Sequence, residues 1–352
     1  MSATRYMQRA LELATLGQGQ ASPNPLVGCV IVHHERIIGE GYHRAFGQAH
    51  AEVNAVASVA DKSLLSQADF YITLEPCSYH GKTPACTDLL LRHRPQRVVV
   101  ATTDPNPKVA GRGLAILQEA GITVEQGLLA AEAVALNKRF WINMTLLRPY
   151  VLLKWAQTAD GFMARSDYSS KWISGVRARQ WVHRWRTQED AILVGYNTVV
   201  HDNPQLTARQ WPGRNPVRVV FDPQGALSTD HKVFASPGAV HVFTTNRQET
   251  QAHIHWHRVS EKNFVAEALA ILYAQNIGSV LVEGGRHTLQ QFIAAGMWDE
   301  ARIFTATGSR FGQGIAAPQL SISPAQAKTI GRDLLTISYN PKTQKIWQTP
   351  SL

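Results

Sequence analysis

Residues 48–59 read QAHAEVNAVASV, a His and a Glu two residues apart at the mouth of an apolar, helix-like run. Alone, such a pair is well explained as two polar residues on a surface helix. Residues 71–90, YITLEPCSYHGKTPACTDLL, change its meaning, because they supply Cys77 and Cys86. Zinc takes imidazole and thiolate ligands in a tetrahedron, and a catalytic site keeps one of the four positions for water. His50, Cys77 and Cys86 would supply one nitrogen and two sulfurs and leave that position open. Glu52 starts on the same helix as His50 without being a ligand. It could take a proton from metal-activated water and pass it to a ring nitrogen and a leaving amine.

The local context favours a metal site. Thr83 can cap and Pro84 can open the helix PACTDLLL, which places Cys86 in a first turn where exposed N–H groups favour a thiolate. Cys77 follows the C-terminal end of an expected strand, where α/β sheets carry their sites. His-x-Glu followed by Pro-Cys and a further Cys is the pattern of zinc deaminases, although eight residues separate the cysteines here and two in the common form. A closed structural zinc is the rival, and it would need a fourth protein ligand.

From residue 26 outward, β-branched runs alternate with helical ones: LVGCVIV, AEVNAVASVA, FYITLE, ACTDLLLRH, RVVVATT, GLAILQEAG, ITVEQG and then a single helix AAEAVALNKRFWIN. That is the rhythm of an α/β layered domain. Pro149 interrupts it, and a second α/β series follows with the strands YVLLKWA, DAILVG, PVRVVFD, AVHVFTT, SVLVEGG and ARIFTA. Two domains are therefore expected, 1–147 and 148–352, as a chain of 352 residues suggests.

Composition narrows the class. With 44% apolar and 17% charged residues the chain is a soluble globular protein. The first twenty residues carry Arg5, Arg9 and Glu12 within an apolar pattern, so they read as an amphipathic helix and not as a signal peptide. No apolar run nears the ~20 residues of a membrane span. Three cysteines fit a reducing compartment, with Cys29 in LVGCVIV a small core residue, and the expected location is the cytoplasm. Residues 1–149 hold 14 Lys/Arg against 12 Asp/Glu, and the remainder 21 against 14. The basic excess lies in the second half. No Lys/Arg run or aromatic-interleaved stripe accompanies it, so phosphorylated small molecules, or plain solvated charge, explain it without nucleic acid.

The second half lacks a complete G-x-G-x-x-G, and GRGLAI (111–116) reads as a turn before a helix. LVEGGRHTLQQF (281–292) reads as a strand, two glycines and a helix, whose first N–H groups could cradle a phosphate. Trp181 and Trp185, four apart on a helix, are expected in the core, and Trp172 in a loop. His253, His255 and His257 alternate along a strand, and no second metal is expected there.

The stretches PNPLVGCVIV, HAEVNA, LEPCSYHGKTPAC and DPNPKVAGRGLAILQEAGI resemble, in order, the deaminase half of the bifunctional riboflavin-biosynthesis deaminase–reductase family. RPYVLLKWAQTADGFMA, SSKWIS, RTQEDAILVGYNTVVHDNPQLTAR and VLVEGGRHTL are similar to its reductase half. The resemblance implies a cytidine-deaminase-like three-layer domain followed by a dihydrofolate-reductase-like α/β domain. It also implies one catalytic Zn2+ per chain, NADPH, and phosphorylated pyrimidine substrates.

On that match the diaminopyrimidine nucleotide contacts fall on Asn24, His43, Lys82, Asp104 and Asn106. NADPH contacts fall on Ala156, Trp172, Thr198, Asp202 and the loop Gly285, Arg286, His287, Thr288, Leu289, Gln290 and Gln291. Contacts to the reductase substrate fall on Ser170, Arg186, Leu206, Arg209 and Glu283, with Asp202 and Glu283 the first candidates for a proton donor. Two departures stand out: Tyr79 replaces a usual His, and TGSRFGQGIAAPQL (307–320) diverges. A homo-oligomer is expected, with neither nucleic acid nor a membrane as partner.

Overall fold

The computed structural model describes residues 2–81, 84–107, 109–170, 173–235 and 237–348. Lys82, Thr83 and Trp172 lie outside the described residues. The chain divides into two compact units, Met1–Leu146 with Lys345–Leu352, and Leu147–Gln344.

The first unit runs α1 (Ala3–Thr15), β1 (Gly28–His33), β2 (Arg36–Tyr42), α2 (Ala51–Ser58), β3 (Asp69–Ile72), α3 (Cys86–His93), β4 (Arg97–Val100), α4 (Arg112–Glu119), β5 (Thr123–Gln126), α5 (Ala130–Leu136) and α6 (Lys138–Leu146). Its sheet has the order β2-β1-β3-β4-β5. β1 is antiparallel to β2 and β3, and β3, β4 and β5 are parallel. Side-chain alternation assigns the two faces. Cys29, Ile31, Phe70, Ile72, Val98 and Val100 pack with α2, α3 and α4, whereas Val30, Val32, Tyr71 and Val99 pack with α1 and α5. The result is three layers.

Two local features differ from the sequence expectation. Strand β2 carries Gly39 and Gly41, which interrupt its apolar pattern. A Cβ at Gly41 would stand 2.2 Å from Ala55 N, so helix α2 sits directly on this strand because the side chain is missing. The expected helix AAEAVALNKRFWIN is broken at Asn137 into α5 and α6. Asn137 Oδ1 accepts from Leu26 N at 2.7 Å and its Nδ2 donates to Leu26 O at 2.9 Å, so the side chain pairs with a distant peptide as a strand would.

The second unit contains β6 (Tyr150–Thr158), β7 (Phe162–Ala164), α7 (Val176–Gln188), β8 (Ala191–Gly195), α8 (Tyr196–Asp202), β9 (Val217–Phe221), α9 (Lys232–Ala235), β10 (Val240–Thr244), β11 (Glu249–Gln251), β12 (Ile254–Arg258), α10 (Phe264–Ala274), β13 (Ser279–Gly284), α11 (Arg286–Ala294), β14 (Glu300–Ala306), β15 (Ile315–Ala316), β16 (Gln326–Ile330) and β17 (Asp333–Tyr339). A last helix, α12 (Pro341–Gln348), ends the described chain. The large sheet has the order β11-β12-β10-β9-β8-β13-β6-β14-β17-β16, parallel from β12 to β14 with antiparallel edges. Its central strands β13, β6, β8 and β9 are buried on both faces, which is why they read as continuous apolar runs. No helix among the described residues is long and apolar enough to cross a membrane.

Candidate active sites

In the first unit, three chain segments converge on one point. Helix α2 begins just after His50, whose extended backbone (φ −72°, ψ 169°) caps it. Asn54, one turn in, donates through Nδ2 to Tyr42 O at 2.9 Å and to Ala49 O at 3.2 Å, which ties the preceding loop to the helix and fixes His50. Cys77 follows β3, and Cys86 is the first residue of α3, capped by Ala85. The helix thus starts two residues after Pro84, later than the expected Pro84 opening, and Cys86 gains the first-turn position all the same.

The ligand atoms of His50, Cys77 and Cys86 lie within 4.8 Å of one another, and among the described residues this is the one such convergent group. His50 Nδ1 is 3.3 Å from Cys86 Sγ and 3.5 Å from Cys77 Sγ. Ligands at roughly 2.0–2.3 Å around a tetrahedral zinc are separated by roughly 3.4–3.8 Å, so the donor set fits that ion. The sulfurs are chemically inequivalent. Cys77 is pushed down to about 4 by hydrogen bonds from Cys86 and His50 against the opposing effect of burial, and Cys86 backbone N donates to its sulfur at 3.3 Å. Cys86 is raised by its bond to Cys77 and by burial.

Glu52 is buried at 3% exposure beside this group. Burial and the charge of Cys77 raise its carboxyl above the usual range. His43 approaches His50 edge-on, with ring centroids 5.3 Å apart. Its Nδ1 contacts Ala49 O at 3.2 Å and its Nε2 contacts Asn24 Nδ2 at 3.1 Å, and burial lowers its pKa. Asp104 is 9% exposed and is pushed up to about 7 by burial, with Glu75 and Cys77 adding to the rise. Asn106 N donates to Asp104 Oδ1 at 2.8 Å. Tyr79, the departure from the usual His, is 47% exposed, and the charges of Cys77 and Asp104 both reach it.

The second unit holds a cavity of about 1260 Å³. Pockets for drug-sized ligands fill roughly 300–1,000 Å³, so this one has room for a dinucleotide together with a second ligand. Ala156, Ser170, Arg186, Thr198, Asp202, Leu206, Arg209, Glu283, Gly285, Arg286, His287, Thr288, Gln290 and Gln291 all line it. Leu289 does not. It is fully buried in the core beneath α11, because on a helix it lies on the face opposite the opening.

Three elements shape the cavity. β13 ends at Gly284, and Gly285 caps the nine-residue helix α11, whose free N–H groups are suited to phosphate. β8 ends at Gly195, where a Cβ would stand 2.2 Å from Thr288 Oγ1, so the first turn of α11 rests against the bare backbone of β8. Asp160 accepts from Phe311 N at 3.0 Å and Gly312 N at 2.7 Å, and β15 pairs with β7, so the divergent segment is anchored and Ile315 reaches the cavity wall.

The floor is ionic. Arg186 forms a bidentate pair with Glu283, and Lys154 Nζ stands 3.6 Å from the same carboxylate. Burial opposes ionisation of Glu283, but Arg186 and Lys154 outweigh it and hold the carboxyl at about 2. Near neutrality it therefore has no proton to give, and the expectation of Glu283 as a donor is not supported by its surroundings. Burial lowers the pKa of Lys154 and, with Arg186 and Arg209, holds His183 at about 4. Ser170 Oγ donates to Asp202 Oδ1 at 3.2 Å.

Lys154, His183, Glu75 and Asn54 were not among the residues expected from sequence. A lone cation inside the apolar strand YVLLKWA was the available signal for Lys154. Trp185 is buried as expected, but Trp181 is only half buried, with Arg184 and Lys328 over its ring. His255 and His257 share a face with His241 of β10, and His241 Nδ1 contacts His257 Nε2 at 2.9 Å. His253 instead bonds Phe234 O.

A convergent His–Cys–Cys donor set beside a buried carboxylate in one α/β unit, and a nucleotide-sized cavity with an ionic floor in the other, fit a bifunctional deaminase and reductase. Residues 1–102 match the cytidine and deoxycytidylate deaminase zinc-binding region, and residues 149–334 match the RibD C-terminal domain. The riboflavin biosynthesis protein RibD of Aquifex aeolicus is 39% identical over 327 residues, covering 90% of each chain. The crystal structure of a diaminohydroxyphosphoribosylaminopyrimidine deaminase/5-amino-6-(5-phosphoribosylamino)uracil reductase from Thermotoga maritima superposes with a TM-score of 0.87 at 38% identity, covering 96% of this chain and 98% of that one. RibD of Acinetobacter baumannii gives 0.87 at 36% identity, over 95% and 97%. The chain belongs to the RibD family of bifunctional riboflavin-biosynthesis enzymes.

Proposed function

We propose that the chain performs two consecutive reactions on one phosphorylated pyrimidine. The first is hydrolytic removal of the 2-amino group of 2,5-diamino-6-ribosylamino-4(3H)-pyrimidinone 5′-phosphate. The second is NADPH-dependent reduction of the ribosyl chain to ribityl, giving 5-amino-6-ribitylamino-uracil 5′-phosphate. The observation that carries the reading is the convergence of His50, Cys77 and Cys86 beside the buried Glu52.

Zinc held by those three side chains would supply the Lewis acidity that activates water for attack on the ring carbon. The work of the chain itself is proton transfer and orientation. Glu52, with its raised pKa, takes a proton from the attacking water and gives it to the ring nitrogen, then takes the remaining hydroxyl proton of the tetrahedral adduct and gives it to the amine as the C–N bond breaks and the carbonyl forms. Asn24, His43, Lys82, Asp104 and Asn106 hold the pyrimidine nucleotide. Burial disfavours the charged form of His43, which suits an orienting role beside the metal ligands.

In the second unit NADPH would supply hydride to the ribosyl C1. Ala156, Trp172, Thr198, Asp202 and the residues from Gly285 to Gln291 that open on the cavity hold the dinucleotide, with its phosphates at the start of α11. Ser170, Arg186, Leu206, Arg209 and Glu283 hold the substrate, and the fixed charge of Glu283 positions Arg186 for a carbonyl or phosphate. The chain acts on small molecules in the cytoplasm, as a homo-oligomer.

Incubation of the purified chain with the diaminopyrimidine nucleotide tests this. Without NADPH the reaction is expected to stop at the ribosylamino-uracil, and with NADPH it runs on to the ribitylamino product. Ribityl product formed before deamination, or no deamination at all, would overturn the assignment.

A further inference from the structure

Glu75 lies three residues beyond β3 and two before Cys77, and it is 4% exposed. Among the described residues its carboxylate is held by backbone N–H groups and by no cation. Oε2 accepts from Asp104 N at 3.1 Å and Gly111 N at 2.9 Å, and Oε1 accepts from Gly113 N at 2.9 Å. Its own backbone N donates to Thr102 O at 3.0 Å. These partners come from both ends of the connection between β4 and α4, so a single side chain gathers the loop at its root and at the first turn of the helix.

A buried carboxylate is costly unless hydrogen bonds replace its hydration, and three N–H donors do so here. The energetic dependence runs both ways. The three N–H groups need an acceptor as much as the carboxylate needs donors, because a buried donor left without one costs about 1–3 kcal/mol. What the loop carries gives this arrangement its meaning. Asp104 lies close enough to Cys77 for the two charges to interact, and Asn106 N closes a turn onto Asp104 Oδ1 at 2.8 Å.

We infer that Glu75 is a positioning residue of the deaminase: by clamping three backbone N–H groups it sets the β4–α4 loop, and with it Asp104, near Cys77 of the metal-ligating set. The inference rests on the reading of Asp104 and Asn106 as pyrimidine contacts. Glu75→Gln tests it with size conserved, since the amide nitrogen turns a donor toward donors. Glu75→Asp keeps the carboxylate on a shorter stem.

The full-length variants would be assayed with the diaminopyrimidine nucleotide for deaminase kcat and KM. Zinc content and the rate of reduction of the deaminated nucleotide would be measured in parallel. For Glu75→Gln the expected result is a KM raised about tenfold or more, the loss of roughly one buried hydrogen-bond set, with kcat within about threefold of the parent. Zinc content and reductase rate stay unchanged, and Glu75→Asp lies between the two in KM. A KM within about twofold of the parent in both variants overturns the inference, as does loss of zinc in step with kcat. If Glu75→Gln fails to fold, the KM of Glu75→Asp alone decides. Failure of the parent chain to deaminate would instead refute the substrate reading.

Discussion

Arg186 and Glu283 meet as a two-pronged pair on the cavity floor, Nε to Oε1 at 2.8 Å and Nη2 to Oε2 at 2.8 Å, while Arg186 Nη1 donates to Thr207 O at 3.0 Å. The side chains are 13% and 9% exposed, so both charges are largely shielded from water and depend on each other. Removing one partner of such a buried pair costs roughly 3–5 kcal/mol, far more than breaking a surface pair.

Acid stability follows from that pair. Glu283 sits at about 2 in the folded chain against an ordinary 4.5, so its contribution is complete above pH 4.5 and is lost as the pH falls through 2. His183, held at about 4 against 6.5, adds a loss that begins below pH 6.5. Denaturant unfolding followed by loss of reductase activity should show stability declining from pH 6.5 downward, with Glu283 contributing at most about 3 kcal/mol. Glu283→Gln should be less stable at pH 7 and flatter between pH 4.5 and 2. An unchanged slope there would refute the assignment of the pair as the acid-labile element.

Glu52→Gln separates proton transfer from metal binding. The amide preserves size but cannot carry a proton, so deamination should fall by about 10²–10⁴-fold. Zinc content and the reduction of deaminated substrate should hold. Surviving deamination with zinc retained would eliminate Glu52 as the proton carrier.

Cys86→Ser removes one ligand from the first turn of α3. A serine hydroxyl does not ionise at neutral pH as a thiol does, so zinc should dissociate under mild chelation and deamination should cease. Because the cavity residues belong to another compact unit, reductase turnover should continue. Zinc retained at the parental level would contradict the ligand set.

Sequence pattern made the metal group and Glu52 legible because short motifs encode them, His-x-Glu in one and Pro-Cys with a later Cys in the other. The central strands were legible because burial on both faces leaves continuous β-branched runs. Strand β2 was not, since Gly39 and Gly41, which admit α2, erase its alternation. Asn137 breaks a helix that propensity would continue, through a bond to Leu26, 111 residues away. Glu75 was hidden for the same reason. Its partners are backbone groups 29 to 38 residues on, and a backbone N–H leaves no trace in residue identity.

Gly195→Ala probes the seat of α11. The added Cβ would meet Thr288 Oγ1 at 2.2 Å, and Thr288 is itself 4% exposed with little room to turn. The first turn of α11 should be displaced, raising KM for NADPH about tenfold or more and leaving deamination untouched. Parental KM for NADPH would show that the helix start does not hold the dinucleotide.

The contacts of His43 fix a direction. Ala49 O can only accept, so the ring proton must reside on Nδ1, and Nε2 is left to accept from the Asn24 amide nitrogen. The chain of bonds therefore runs one way, from Asn24 through the imidazole to the backbone, and Asn24 turns its carbonyl oxygen away from His43. A ligand meeting Asn24 on that side is read by an acceptor. With Asn24 in its proposed role as a pyrimidine contact, the site would tell apart two pyrimidines of the same outline that differ only in whether that edge carries an N–H or a lone pair.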